Sequence, residues 1–189
     1  MKVVFGALLL AAVLAAAPTN AEPVPDPAPA RSSTAMAGGR FHPVQVWGGI
    51  GYYNTGVSVG GVSGSTGQFG LNAGASYAFP LNPDVSWLGF GNAALAFGDV
   101  TSFPITVGGG VRGEHVGPIQ LSGLAGFTLA PISGGNGSKA GLALGAQANY
   151  PTPQLTPGVG VQAAFMYHIL TDSYSIWTIN AGLSYILPY

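Results

Sequence analysis

The segment "YHILTDSYS", residues 167–175, places His168, Asp172 and Ser173 within six positions. These are the residue types of a serine hydrolase, which needs base, acid and nucleophile within hydrogen-bond reach of one another. His168 falls in an alternating run, whereas Asp172 and Ser173 read as a tight turn, so the types are present without the convergence. A second pattern, "GGGVRG" at 108–113, fits G-x-G-x-x-G, and Gly89-Gly91-Ala94 and Gly158-Gly160-Ala163 nearly do. None opens a helix, as a phosphate cradle requires, so these glycines read as allowing curvature and close strand approach. His42, His115 and His168 lack metal-ligand spacing, so no catalytic residue, metal or cofactor is expected. Arg112 and Glu114 are two apart and share one face of their segment. An arginine in apolar surroundings requires a partner, and the pair reads as a structural brace rather than a gate.

Composition narrows what could position such groups. Charged residues are 6% of 189, against about 25% in an average soluble domain. Apolar residues make up 48% and mean hydropathy is positive, which excludes a disordered chain. A net charge of −1 leaves no electrostatic footprint for nucleic acid. Cysteine is absent, so a disulfide framework and thiolate metal sites are excluded.

The N-terminus reads as a signal peptide over residues 1–21. Lys2 precedes an apolar run from Val3 to Ala17, and small residues at Thr19 and Ala21 suit cleavage. That run is short for a spanning helix, which needs about 20 apolar residues. Residues 22–40, with proline at alternate positions before a Ser/Thr/Gly stretch, read as an extended linker. The third region is 41–189.

From Phe41 onward a period of two recurs, the signature of strands. The alternating segments are 44–53, 67–79, 85–97, 104–115, 119–130, 140–150, 158–170 and 174–187. "PLNPD" (80–84), "EHVGP" (114–118) and "PTPQLTP" (151–157) read as stops, because proline cannot donate to a ladder. The break at 54–66 still alternates Val57 and Val59 and reads as a possible extension of its hairpin.

The two faces decide between a sandwich and a barrel. A soluble sandwich carries Lys, Glu, Asp and Arg on its polar face. Here that face is Gly, Ser, Asn, Gln and Thr with one Arg–Glu pair, while the other is bulky, apolar and uncharged. Segments of 10–14 residues also suit strands that cross a bilayer at a tilt. The expectation is therefore an all-β, eight-stranded antiparallel up-and-down transmembrane β-barrel, apolar outside and small or polar inside. Aromatics support it by sorting toward strand ends: Tyr52, Phe69, Phe97, Phe127, Tyr167 and Trp177 at one rim, Phe79, Trp87, Tyr150 and Tyr185 at the other.

On this alternation, and on the ending Tyr185, Leu187, Tyr189, residues 41–189 resemble the small eight-stranded outer-membrane barrels such as OmpX or the transmembrane part of OmpA. Pro188 departs from the usual terminal pattern of that family. The resemblance implies a Gram-negative cell-envelope protein integral to the outer membrane. It implies outer-membrane lipid, periplasmic chaperones and the barrel-assembly machinery as partners, a periplasmic linker, and no activity. Some barrels of this architecture modify lipid A through Ser, His and an acid near the outer rim, but their serine motifs are not recognisable here.

The lumen residues expected from the alternation are Gln68, Asn72, Arg112, Glu114, Gln120, Gln147, Asn149, Gln162, His168 and Asn180. An eight-stranded barrel normally leaves room only for side chains. The many lumen glycines nevertheless leave a thin passage conceivable, and Leu88 and Phe90 fit neither a wet pore nor a polar plug unless a bulge near Gly89 or Gly91 turns them outward. The expected function is a non-enzymatic, structural or surface-interaction barrel with a mostly blocked lumen. The alternatives are a narrow, weakly selective pore for small solutes and a lipid-modifying enzyme. Loops 54–66 and 131–139, rich in Gly, Ser and Asn, offer no hot-spot residues for adhesion.

Overall fold

The computed structural model describes residues 44–82, 84–116, 119–133, 137–152 and 156–187, with backbone alone at 114–116. The signal peptide, the linker, His42, Pro188, Tyr189 and the side chains of Glu114 and His115 lie outside the described residues. Eight strands follow in order: β1 Val44–Val59, β2 Val62–Asn82, β3 Val85–Phe97, β4 Ile105–Val116, β5 Ile119–Pro131, β6 Ser138–Pro151, β7 Val159–Leu170 and β8 Tyr174–Ile186. Each pairs antiparallel with its neighbour in sequence, and β8 returns to β1, so the sheet closes into a barrel with no free side. Closure satisfies backbone groups that an open sheet would leave bare at its edges.

Burial alternates along the strands with period two. In β5, Leu121, Ala125, Phe127 and Leu129 are exposed while Ser122, Leu124 and Thr128 are buried. The sense is inverted relative to a soluble protein, since the bulky apolar residues point away from the ring. We call the end carrying residues 44 and 187 the near end, and the end with the β1–β2, β3–β4, β5–β6 and β7–β8 connections the far end.

Several boundaries differ from the sequence reading. The break at 54–66 is the hairpin extension that Val57 and Val59 suggest, with both strands longer than the segments drawn: Val59 pairs with Val62 around a two-residue turn, Gly60-Gly61, with φ of 59° and 85°. Positive φ at both central positions makes the primed turn whose twist matches the flanking strands, and glycine adopts it without a steric penalty. At the other end of β2, Pro80 does not stop the strand. The ladder continues to Asn82 through a register shift, where a residue without an N–H is tolerated.

The connection 98–104 is also more ordered than a loop. Ser102 exchanges backbone hydrogen bonds with Ala96 at 2.9 and 3.2 Å, and Phe103 N donates to Pro131 O at 3.0 Å. It carries the ladder between β3 and β5 beyond the point where β4 ends. At the β7–β8 turn, Asp172 and Ser173 have φ of 58° and 60°, and Tyr174 N donates to Thr171 O at 3.3 Å. This is again a primed turn, made here without glycine.

Candidate functional site in the barrel interior

The strands aim two chemically different surfaces at two spaces. On the outside, exposed Ile50, Leu71, Val107, Leu144, Ile179 and Leu183 form an aliphatic belt. Aromatics bound it on both sides. Toward the far end Tyr52 packs against Phe69 and Trp177, both at 5.4 Å between ring centroids, and Phe69 lies opposite Phe97. Toward the near end Tyr77 and Phe79 are 4.6 Å apart and Phe79 lies opposite Trp87. Of the described charged side chains, Asp84, Asp99 and Asp172 sit in turns, and Arg112 and Lys139 are buried in the ring, so none meets the belt.

The interior is layered. Nearest the near end is a hydrogen-bonded amide tier. Ser184 Oγ donates to Asn149 Oδ1 at 2.6 Å, Asn149 Nδ2 to Gln120 Oε1 at 3.2 Å, and Gln147 Nε2 to Gln162 Oε1 at 3.0 Å. Arg112 is buried on the same side of the barrel.

Above this tier the lumen turns apolar. Trp47, Ala78, Leu88, Phe90, Leu124, Ala143 and Met166 form one buried cluster. Leu88 and Phe90 are each only 6% exposed while Trp87 is 52% exposed, and β3 keeps unbroken register with β4 from Val85 to Ala93. The bulge that could have turned them outward is absent, and they are the plug. A cavity of about 10 Å³ remains among Trp47, Phe90, Leu124, Met166, Asn72, Asn92 and Asn180. That is no more than the volume a single water needs.

The lumen glycines explain how so narrow a ring holds such bulk. A methyl group at Gly74 would lie 2.5 Å from the Trp47 ring, one at Gly145 2.8 Å from Met166 Cγ, and one at Gly110 3.0 Å from Leu124 Cδ2. Gly74 vacates space that the Trp47 ring fills, while at Gly145 and Gly110 the nearest obstruction is the backbone carbonyl of Phe165 and of Gly123 on the next strand, so these two first of all let strands approach closely. These positions are therefore not open space: Gly74 seats Trp47, and Gly70, Gly108, Gly110, Gly126 and Gly145 abut the backbone of a neighbouring strand.

Beyond the plug a second polar tier crosses three strands. Thr106 Oγ1 and Thr128 Oγ1 are 2.7 Å apart, and Thr128 Oγ1 is 2.9 Å from His168 Nδ1. Ser102 Oγ donates to Gln68 Oε1 at 3.1 Å. Toward the far end Ala130, Ile132, Leu170 and Ile176 form a second buried apolar cluster, against which Val100 and Tyr174 pack.

The structure thus buries Gln68, Asn72, Arg112, Gln147, Asn149, Gln162, His168 and Asn180 within the ring and half-buries Gln120, while the side chain of Glu114 is outside the described residues. It brings Gln147 to Gln162 and Asn149 to Gln120. His168, Asp172 and Ser173 do not assemble as a triad. The imidazole engages Thr128, and the Asp172 carboxylate accepts from Lys139 Nζ at 2.6 Å.

Sequence reasoning missed Lys139. With the sixth strand drawn from 140, Arg112 and Glu114 were the only strand charges, but β6 begins at Ser138 and Lys139 is 4% exposed, its amine 5.0 Å from the centroid of Tyr174. Its signal was its place one residue before an inward-outward alternation, in phase with Gly141 and Ala143.

No protein-family model and no curated protein sequence matches the chain. Solved structures do. Ail, the attachment invasion locus protein of Yersinia pestis, matches at 24% identity and TM-score 0.50, over 76% of this chain and 98% of that one. Ail in complex with the heparin analogue sucrose octasulfate matches at 23% identity with the same coverage and score. Neisserial surface protein A matches at 14% identity and TM-score 0.52, over 76% of this chain and 97% of that one. At such identities the likeness is one of architecture, and it agrees with the strand count, the closure and the antiparallel order: the chain has the fold of the small eight-stranded outer-membrane β-barrels.

Proposed function

We propose that this protein is an integral outer-membrane barrel with a structural or surface-interaction role and a sealed lumen, not an enzyme. The observation that carries the reading is the apolar plug around Trp47, Leu88, Phe90 and Met166, beside which lies a cavity of only about 10 Å³. A space no larger than one water needs, set among packed aromatic, aliphatic and amide side chains, supports a lumen that conducts neither ions nor solutes unless the plug moves. The outer belt supports the location: an exposed aliphatic surface bounded by aromatics is stable against lipid and an aggregation hazard in water. Outer-membrane lipid is then its principal partner, with periplasmic chaperones and the barrel-assembly machinery acting during biogenesis.

The test is single-channel recording of the folded protein in planar bilayers. A sealed barrel gives no steady unitary current, and stable, ion-selective steps would replace this reading with a narrow, weakly selective pore. Location and orientation are tested by single cysteines. One at Ser65 on the β1–β2 hairpin is expected to label from outside intact cells, and one at Asn82 to stay unlabelled. Labelling at Asn82 would reverse the orientation.

A further inference from the structure

The far end of the barrel contains a cavity of about 290 Å³ that a purely structural role does not use. The β1–β2 hairpin forms one side through Thr55, Gly64 and Thr66, and Val100, Ile132 and Tyr174 form another. Thr55 lines the cavity and is 6% exposed; its Oγ1 is itself buried and has no hydrogen-bond partner, and a rotation about χ1 is what would bring it to face the cavity. One inward rung deeper on the same hairpin, Tyr53 lies opposite Gln68, and the Tyr53 hydroxyl and Gln68 Nε2 are likewise unpartnered. Buried polar groups are normally satisfied, and a run of unsatisfied ones leading inward from a cavity wall marks a place where something else supplies the bond.

We propose that this cavity binds a compact, uncharged, mainly apolar molecule that turns one hydrogen-bonding group toward Thr55 Oγ1. The size is at the lower edge of small-molecule pockets, roughly 300–1,000 Å³. The residues lining it include no charge. The amine of Lys139 on the Tyr174 ring is already paired with Asp172 at 2.6 Å. An ionic ligand would lose its hydration with no counter-charge in the wall, whereas an apolar body gains contact with Val100, Ile132 and Tyr174. Because the plug lies beneath, the ligand is held at the far end rather than conducted. The inference stands on the cavity and the orphaned hydroxyl and does not require the lumen to be sealed.

The experiment titrates 2-naphthol into the folded protein in zwitterionic micelles and follows backbone amide resonances. Saturable shifts confined to residues such as Thr55, Thr66, Val100, Ile132 and Tyr174 are expected, with 2-naphthalenesulfonate binding at least about tenfold more weakly. Thr55→Val keeps the shape and removes the hydroxyl, and is expected to weaken 2-naphthol by about tenfold. Gly64→Trp fills the cavity and is expected to abolish the shifts; a methyl group at Gly64 meets nothing within 4 Å, so the hairpin tolerates a side chain there. Shifts confined to belt residues such as Leu71 and Leu144 would overturn the proposal, as would equal binding of the sulfonate. Wild-type affinity in both variants, each with an intact barrel spectrum, would overturn it too.

Discussion

Gly74 and Ala75 are consecutive in β2 and answer to different media. Ala75 points outward into the belt, where its surroundings ask only that it be apolar. Gly74 points inward, where the Trp47 ring occupies the space a side chain would take. The outer surface therefore selects by polarity and tolerates many shapes, while the lumen selects by shape and accepts both polar and apolar groups that fit. The amide tier, the plug and the Thr106–Thr128–His168 tier all share one wall built to the same rule.

Variants at the two surfaces should fail for different reasons. The largest effect is expected from Phe90→Ala, which removes an aromatic from the plug and leaves a cavity, costing about 3–5 kcal/mol. Urea unfolding in lipid vesicles measures the loss, and planar-bilayer recording should show new current. A destabilised variant that still seals would mean the plug is redundant. Next is Ala75→Arg, where a charge set against lipid should cost about 2–4 kcal/mol. The paired control Gly74→Ala adds no charge and should cost about 1–3 kcal/mol by crowding Trp47. Ala75→Leu should be near neutral in the same unfolding assay, and if it proves as damaging as Gly74→Ala the contrast between the faces collapses.

A further change sharpens the polar side of the comparison. Thr128→Val leaves the volume intact but breaks the chain between Thr106 and His168. It should cost about 1–3 kcal/mol, because buried partners are left unbonded. The smallest expected effect other than the neutral Ala75→Leu control is favourable. Ser173 has a φ of 60°, which non-glycine residues adopt at a cost, so Ser173→Gly should stabilise the β7–β8 turn by about 0.5–1 kcal/mol. Thermal unfolding monitored by heat-modified gel mobility reads it.

The architecture was legible because the outer face is so uniform. Leu71, Ala73, Ala75 and Tyr77 announce the period of two with no competing signal. What the sequence concealed arises from contacts between strands. Leu88 and Phe90 looked out of phase with a polar lumen, and only the positions across the ring, Trp47, Leu124 and Met166, show that an apolar layer belongs there. The glycines looked like empty space, since their occupants come from neighbouring strands. Proline at 80 looked like a stop, because a register shift is not visible in one strand alone. Lys139 looked like loop, since its partners Asp172 and Tyr174 lie on the next hairpin. The far-end cavity left no sequence signal, because its β1–β2 wall is only Gly, Ser, Thr and Val, and Val100, Ile132 and Tyr174 join it from other connections.

Leu187 N donates to Val44 O at 3.0 Å, so the two ends of the ring-forming chain touch. Seven ladders join strands adjacent in sequence and one, β1–β8, joins the first to the last. Hairpins can zip locally, whereas that seam must wait for the whole chain to be gathered, which concentrates the loop-closure entropy in one late event. The barrel is in effect a circle with a movable cut. A chain opened at Gly60–Gly61 and joined between 187 and 44 would retain every ladder while transferring the slow seam from β1–β8 to β1–β2. The order of assembly is thus a property of where the chain is cut, separable from the structure it reaches.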